Sequence, residues 1–172
     1  MLIKQVVINA SPLIVLFKSQ QADLLPQLFS EIIVPAGVWD EVTASETKLS
    51  PFLREARSDR ASQELPLVSW VQKVDIDQIS PQVMAWDLGK GESEVLTWAL
   101  TNPNYAAIID DRAARRCAKS FNILTIGTGR LLILAKQRGL IDSVSERLQL
   151  LRDAGLYLSD NLINLLKQQV GE

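Results

Sequence analysis

The chain alternates short apolar, β-branched runs with longer stretches of helical spacing. Residues 2–8, 31–34, 67–74, 106–109 and 123–126 read as strands. Helices are predicted over 12–18, 24–29, 36–42, 92–100 and 111–121. From 130 to 169 the pattern is again helical, broken near Gly139 and Gly155. Strands separated by helices of this length predict parallel βαβ units. The expected fold is therefore α/β, a three-layer α/β/α sandwich around a central, mainly parallel sheet. Residues 43–66 leave this rhythm: they are polar and charged, with Glu46, Lys48, Arg54 and Asp59 among them. They are expected to form a helical insertion or flap, or else a solvated helix pair with no role.

Composition narrows the chemistry. A length of 172 residues, 47% of them apolar, suits one domain over 1–172 with a full core. No apolar run approaches the ~20 residues needed to span a bilayer, and residues 1–5 lack the layout of a secretory signal. No membrane association is expected, and a cytoplasmic location is. There is no histidine, which removes a Ser-His-Asp triad, a His base and any His-ligated zinc. With Cys117 alone, neither an intrachain disulfide nor a Cys-rich zinc site can form. An enzyme built from this chain would work with carboxylates, hydroxyls, amides, cations or a borrowed metal. The net charge of −2 argues against a constitutive nucleic-acid coat protein, though not against an enzyme that touches nucleic acid briefly.

In open parallel sheets, ligands bind beyond the carboxyl ends of the strands. The first predicted strand ends in Asn9-Ala10-Ser11-Pro12, the fourth in Asp110-Asp111, and the fifth in Gly127-Thr128-Gly129. Gly89-Lys90-Gly91-Glu92-Ser93-Glu94 opens the helix before the fourth strand, and Asp40-Glu41 lies late in the helix after Pro35. Carboxylates and an amide around one cleft would suit a hard divalent cation, which can activate water and steady a phosphoryl transition state. Each piece also has a purely structural reading. Asp110-Asp111 could cap a helix, Glu92 and Glu94 could be first-turn acids, and Asn9 and Ser11 could cap a helix beginning at Pro12.

The helix after Asp111 carries Arg112, Arg115, Arg116 and Lys119 on one face, with Ala114, Cys117 and Ala118 on the other. Such a stripe could hold a phosphodiester backbone or simply be a solvated face. The Gly127-Thr128-Gly129 turn could offer N–H groups to a phosphate, but no third glycine completes a dinucleotide fingerprint. The tryptophans Trp39, Trp70, Trp86 and Trp98 are scattered and read as packing.

These residues resemble a known family. The sequence is similar to PIN-domain proteins, the superfamily of VapC-like ribonuclease toxins, in the branch that opens with Asn-x-Ser-Pro-Leu-Ile. Here that motif is Asn9-Ala10-Ser11-Pro12-Leu13-Ile14. The run Gly89 to Glu94, the stretch Ile109-Asp110-Asp111-Arg112-Ala113-Ala114-Arg115, Ile126-Gly127-Thr128 and a closing Ala154-Gly155-Leu156-Tyr157-Leu158-Ser159 follow in the same order. The resemblance implies a Mg²⁺- or Mn²⁺-dependent ribonuclease, often the toxin of a toxin–antitoxin pair and often a homodimer. It places metal ligands at Asn9, Glu41, Glu92, Glu94, Asp110 and Asp111, and the spacing of Glu92 and Glu94 looks like the paired glutamates of flap endonucleases. Asn9 departs from the broader family, which has an aspartate there; an amide still ligates but brings no charge.

The expected mechanism is metal-assisted phosphodiester cleavage of RNA. Asp111, Glu92, Glu94 and Asp110 are the candidate catalytic acids, with Asn9 and Glu41 completing the metal shell. Ser11 and Thr128 would position water or phosphate, and Arg112, Arg115 and Arg116 would grip the strand. The rival expectation is a weakened PIN fold acting as a nucleic-acid-binding or regulatory module, with an antitoxin protein among its possible partners. The apolar positions Leu148, Leu151, Leu162, Leu165 and Leu166 form either core or a dimer surface.

Overall fold

The structure, a computed structural model, describes residues 2–44 and 60–172. Five parallel strands form one sheet in the order β3-β2-β1-β4-β5: β1 Gln5–Ile8, β2 Glu31–Pro35, β3 Gln72–Val74, β4 Tyr105–Ile108 and β5 Thr125–Ile126. The central strands β1, β2 and β4 are buried along most of their length, which is why their sequences are continuously apolar rather than alternating.

Helices cover both faces, as the βαβ pattern predicts. They are α1 Ala10–Lys18, α2 Leu24–Leu28, α3 Ala36–Thr43, α4 Arg60–Glu64, α5 Pro81–Met84 and α6 Lys90–Thr101. After β4 come α7 Arg112–Ser120, α8 Thr128–Gln137, α9 Val144–Asp153 and α10 Asp160–Gln169. Helix α6 packs on β1, β2 and β4 and beside α7, while α2 packs on β2 and against α8, which carries α9 and α10. None of the described helices is long and apolar enough to cross a membrane.

The helical breaks fall at Gly139 and Gly155, both with positive φ (71° and 103°), as expected of glycine just past a helix end. Leu148, Leu151 and Leu166 are core, whereas Leu162 and Leu165 stay exposed on α10. Trp39, Trp70 and Trp98 pack on the core, and Trp86 is more open.

Several elements differ from expectation. The first helix begins at Ala10 rather than Pro12. Asn9 has an extended backbone (φ −82°, ψ 165°) and its carbonyl already accepts the Leu13 N–H at 3.3 Å, so Asn9 is the cap. Pro12 then sits in the first turn, where no intrahelical N–H is required. The strand expected over 67–74 shrinks to Gln72–Val74: Pro66 lies in a 3₁₀ turn, Leu65–Leu67, and Trp70 stacks on Phe17 with ring centroids 6.1 Å apart. Similarly, the fifth strand shortens because the Ile123 N–H bonds back to the Ala118 carbonyl and closes α7. Helix α5 was not anticipated. Of the expected polar insertion over 43–66, residues 45–59 lie outside the described residues, and α4 packs on α1 and α3.

Candidate functional site

Strand register decides which polar groups meet. Ile8 pairs with Ile108 and Ile108 with Ile126, so the next residues emerge side by side at one edge. Asn9 thus lies beside Ile109, and Asp110 stands across from Thr128. Two groups of side chains form there, one around Gly91 and one around Gly127.

The first group joins β1, α3 and α6. Asn9 is 3% exposed, and its side chain makes no capping bond to its own helix. Instead Nδ2 donates to Glu92 Oε1 at 3.4 Å. Asn9 Oδ1 and Glu41 Oε2 each lie 3.3 Å from where a Cβ on Gly91 would be. An amide oxygen and one carboxylate therefore border a space that exists because residue 91 has no side chain, and the Glu92 carboxylate is bonded to the same amide. Glu92 is the third residue of α6 and curls back over Gly89, so that a Cβ at Gly89 would overlap its carboxylate.

Beneath this group lies Glu94, 4% exposed, with its carboxylate filling the space left by Gly37. Oε2 has no hydrogen-bond partner. Burial pushes the Glu94 carboxyl up. The Gly37 amide and the Lys90 ammonium oppose that shift, while Asp40 and Asp75 reinforce it.

The second group joins β4, α7 and α8. Asp110 Oδ1 accepts the Thr128 N–H at 2.8 Å, and Oδ2 accepts the Thr128 hydroxyl at 2.5 Å. Thr128 is wholly buried, so its N–H and hydroxyl serve Asp110 and not the solvent. Arg115 Nη1 and Asp110 Oδ1 flank Gly127, at 3.2 and 3.4 Å from the position of a Cβ there. Asp111 is exposed and caps α7, accepting the Ala114 N–H at 2.9 Å. Ser11 is exposed in the first turn of α1, and Arg112, Arg115 and Arg116 line the open face of α7.

Among the described residues no three acidic side chains come together closely enough to hold an ion by themselves. The set at Gly91 is two acids and an amide. All are hard oxygen donors, the Glu94 oxygen beneath them lacks a partner, and this chemistry fits a Mg²⁺- or Mn²⁺-like cation with water completing its shell. Sequence reasoning named Asp40 and quoted Lys90 and Gly91 within a motif, but it missed Gly37 and Asp75 and the room that Gly91 and Gly37 make. The pattern Gly-x-Gly-Glu was the available signal for the room at Gly91.

A family model described as a PIN domain matches residues 5–172. No curated protein matches the chain. Since the match takes in the whole sheet and every element that carries the two polar groups, the chain belongs to the PIN-domain family, a nuclease-type fold whose members generally use divalent metal ions.

Proposed function

We propose that this protein is a metal-dependent endoribonuclease of the toxin–antitoxin kind or a related RNA-processing enzyme, working in the cytoplasm. The observation that carries the reading is the meeting of Asn9 and Glu41 oxygens at the gap left by Gly91, with Glu92 bonded to the same Asn9 amide. These three, with Asp111 and Glu94, would hold Mg²⁺ or Mn²⁺. A bound divalent ion supplies an activated water and charge stabilisation on the phosphoryl oxygens. The chain's own contribution is positional. Asn9 Nδ2 holds the Glu92 carboxylate beside the Asn9 amide, and Gly91 leaves space for an oxygen to enter. Asp110 and Thr128 fasten the start of α8 to the sheet edge, which fixes Gly127 beneath Arg115. Arg112, Arg115 and Arg116 would bind the phosphates flanking the cut, and the Ser11 hydroxyl would donate to water or phosphate.

The test is cleavage of mixed single-stranded and structured RNA with Mn²⁺, Mg²⁺ or chelator, beside a Glu92→Gln/Asp111→Asn variant. Metal-dependent cutting lost in the variant supports the reading. A second reading, a binding or regulatory module on a weakened site, is favoured by the amide at Asn9. Folded wild type that binds RNA and Mn²⁺ without cutting would select it. The exposed Leu162 and Leu165 on α10 are the natural place for a homodimer contact, and an antitoxin partner follows only from the toxin assignment.

A further inference from the structure

Away from the acids, the outer edge of the sheet carries a feature of which the cleavage reading uses only the arginines at its upper end. Helix α7 runs from the strand ends down toward the foot of the sheet, and Arg112, Arg115, Arg116 and Lys119 line its open face. Among the described residues none of these four cations forms an ion pair. An open groove of about 500 Å³ follows the helix, with Arg115, Arg116 and Lys119 on one wall and Ile123, Leu124 and Thr125 on the other. At the foot it meets a second cavity of about 610 Å³, sharing Asn122, Ile123 and Leu124 with it. Leu2, Lys4, Leu100, Asn104 and Phe121 complete that trough. Its apolar wall is open, with Leu2 62% and Leu124 53% exposed.

We propose that this edge is a separate binding surface for the flank of a single-stranded RNA, with phosphates along α7 and a nucleobase in the trough at the foot of the sheet. The inference rests on the nuclease reading for its substrate class. Unpaired cations at successive helical turns match a phosphodiester backbone. The trough's volume falls inside the roughly 300–1,000 Å³ of pockets that take small organic groups. Its Phe121 ring and the Asn104 and Asn122 amides suit an unstacked base, which binds by stacking and by hydrogen bonds along its edge. The nine residues of α7 span about 13 Å at the helical rise, or about four nucleotides of a stacked strand. The base in the trough would therefore lie about four nucleotides from the phosphate at the acids.

The experiment is fluorescence anisotropy with oligouridines of four to twelve nucleotides in chelator, so that nothing is cut, at several salt concentrations. The wild type should gain roughly tenfold or more in affinity once a strand reaches past the four-nucleotide span, a gain set by stacking of the base in the trough. Leu124→Glu alters an already exposed side chain and should abolish that gain. Lys119→Gln should lower the salt slope for long strands by about 0.7. A length dependence identical in wild type and both variants overturns the proposal. So does binding of an acidic, leucine-containing peptide at this edge with no effect of the variants on RNA, which would give the surface to a protein partner. If short strands bind but length adds nothing, only this inference fails; if no strand of any length binds, the nuclease reading fails with it.

Discussion

The two polar groups at the strand ends differ in how completely their oxygens are used. Around Gly127, both oxygens of Asp110 are occupied by one buried threonine, at 2.8 and 2.5 Å. Around Gly91, the contact from Asn9 to Glu92 is long, 3.4 Å, and the Asn9 and Glu41 oxygens face a gap. Below them Glu94 keeps an oxygen with no partner. Two short bonds to one buried residue make Asp110 a fastener, whereas the partnerless Glu94 oxygen and the room at Gly91 leave the other group able to take a ligand. Position at a strand end is therefore not enough to assign a carboxylate to a metal.

Removing the fastener should break this contrast most visibly. Asp110→Ala would leave the buried Thr128 N–H and hydroxyl without acceptors, and two lost bonds to a charged group cost about 3–5 kcal/mol. The melting temperature should fall by roughly 6–20 °C, with Mn²⁺ affinity by calorimetry changed less than threefold in the folded fraction. Glu41→Gln should do the reverse, lowering Mn²⁺ affinity at least tenfold with little change in melting. If Asp110→Ala loses metal binding outright, the division between the two groups is wrong.

Asn9→Asp sharpens the comparison from the other side. It trades a donor toward Glu92 for a third carboxylate, so the metal-free protein should lose on the order of 1 kcal/mol. Affinity for Mn²⁺ should rise about tenfold, because cation sites are tuned by the number of charged ligands. Cleavage rising along with affinity would identify the amide as the brake on activity, and unchanged affinity would remove Asn9 from the ligand set.

A smaller effect is expected at Glu94. Its carboxyl is pushed up chiefly by burial, so the folded state binds its proton more tightly than the unfolded chain does. The sign follows: the group destabilises the fold increasingly as pH rises above its ordinary range near 4.5. Glu94→Gln should raise the melting temperature at neutral pH by a few degrees, a gain of about 1 kcal/mol, and should flatten its decline with pH. An unchanged pH profile would show that the carboxylate finds its compensation elsewhere.

The smallest change belongs to Glu172, far from both groups. It accepts the Val144 and Ser145 N–H groups at 2.9 and 2.8 Å, which hold its carboxyl down at about 2. Its contribution is complete above the ordinary carboxyl range near 4.5 and disappears as pH falls through about 2. Acid unfolding curves of the wild type and Glu172→Gln should therefore differ at neutral pH and converge across that window.

Much of this architecture was legible in the chain, for reasons specific to particular segments. The buried strands β1 and β4 announce themselves as apolar runs, and the breaks at Gly139 and Gly155 follow from the left-handed backbone that glycine accepts. Helix α5 went unread although Ser80-Pro81 is a cap-and-proline start, whereas at Ser11-Pro12 the same signal misplaced the cap, which is Asn9. Other features were not legible. The pairing of Asp110 with Thr128 depends on β4–β5 register, which no local pattern encodes. Glu92 and Glu94 look like a pair in the sequence, yet residues two apart on a helix point about 160° away from one another. Glu92 accordingly reaches Asn9 while Glu94 fills the space at Gly37. Whether an acid is saturated is a property of its tertiary neighbours, and spacing along the chain is silent on it.

Gly91 offers a way to switch the centre off without touching any charge. A methyl group at that position would sit 3.3 Å from both Asn9 Oδ1 and Glu41 Oε2 and 3.4 Å from Val38, tight enough to need small shifts but not to break the helix. Alanine is also the better helix former, by roughly 0.5–1 kcal/mol within a helix. Gly91→Ala should act as a plug: it keeps every acid and the same isoelectric point, and under the proposed site its Mn²⁺ affinity by calorimetry should fall. Such a variant would capture bound RNA intact, and the strands it retains would report what the wild type selects.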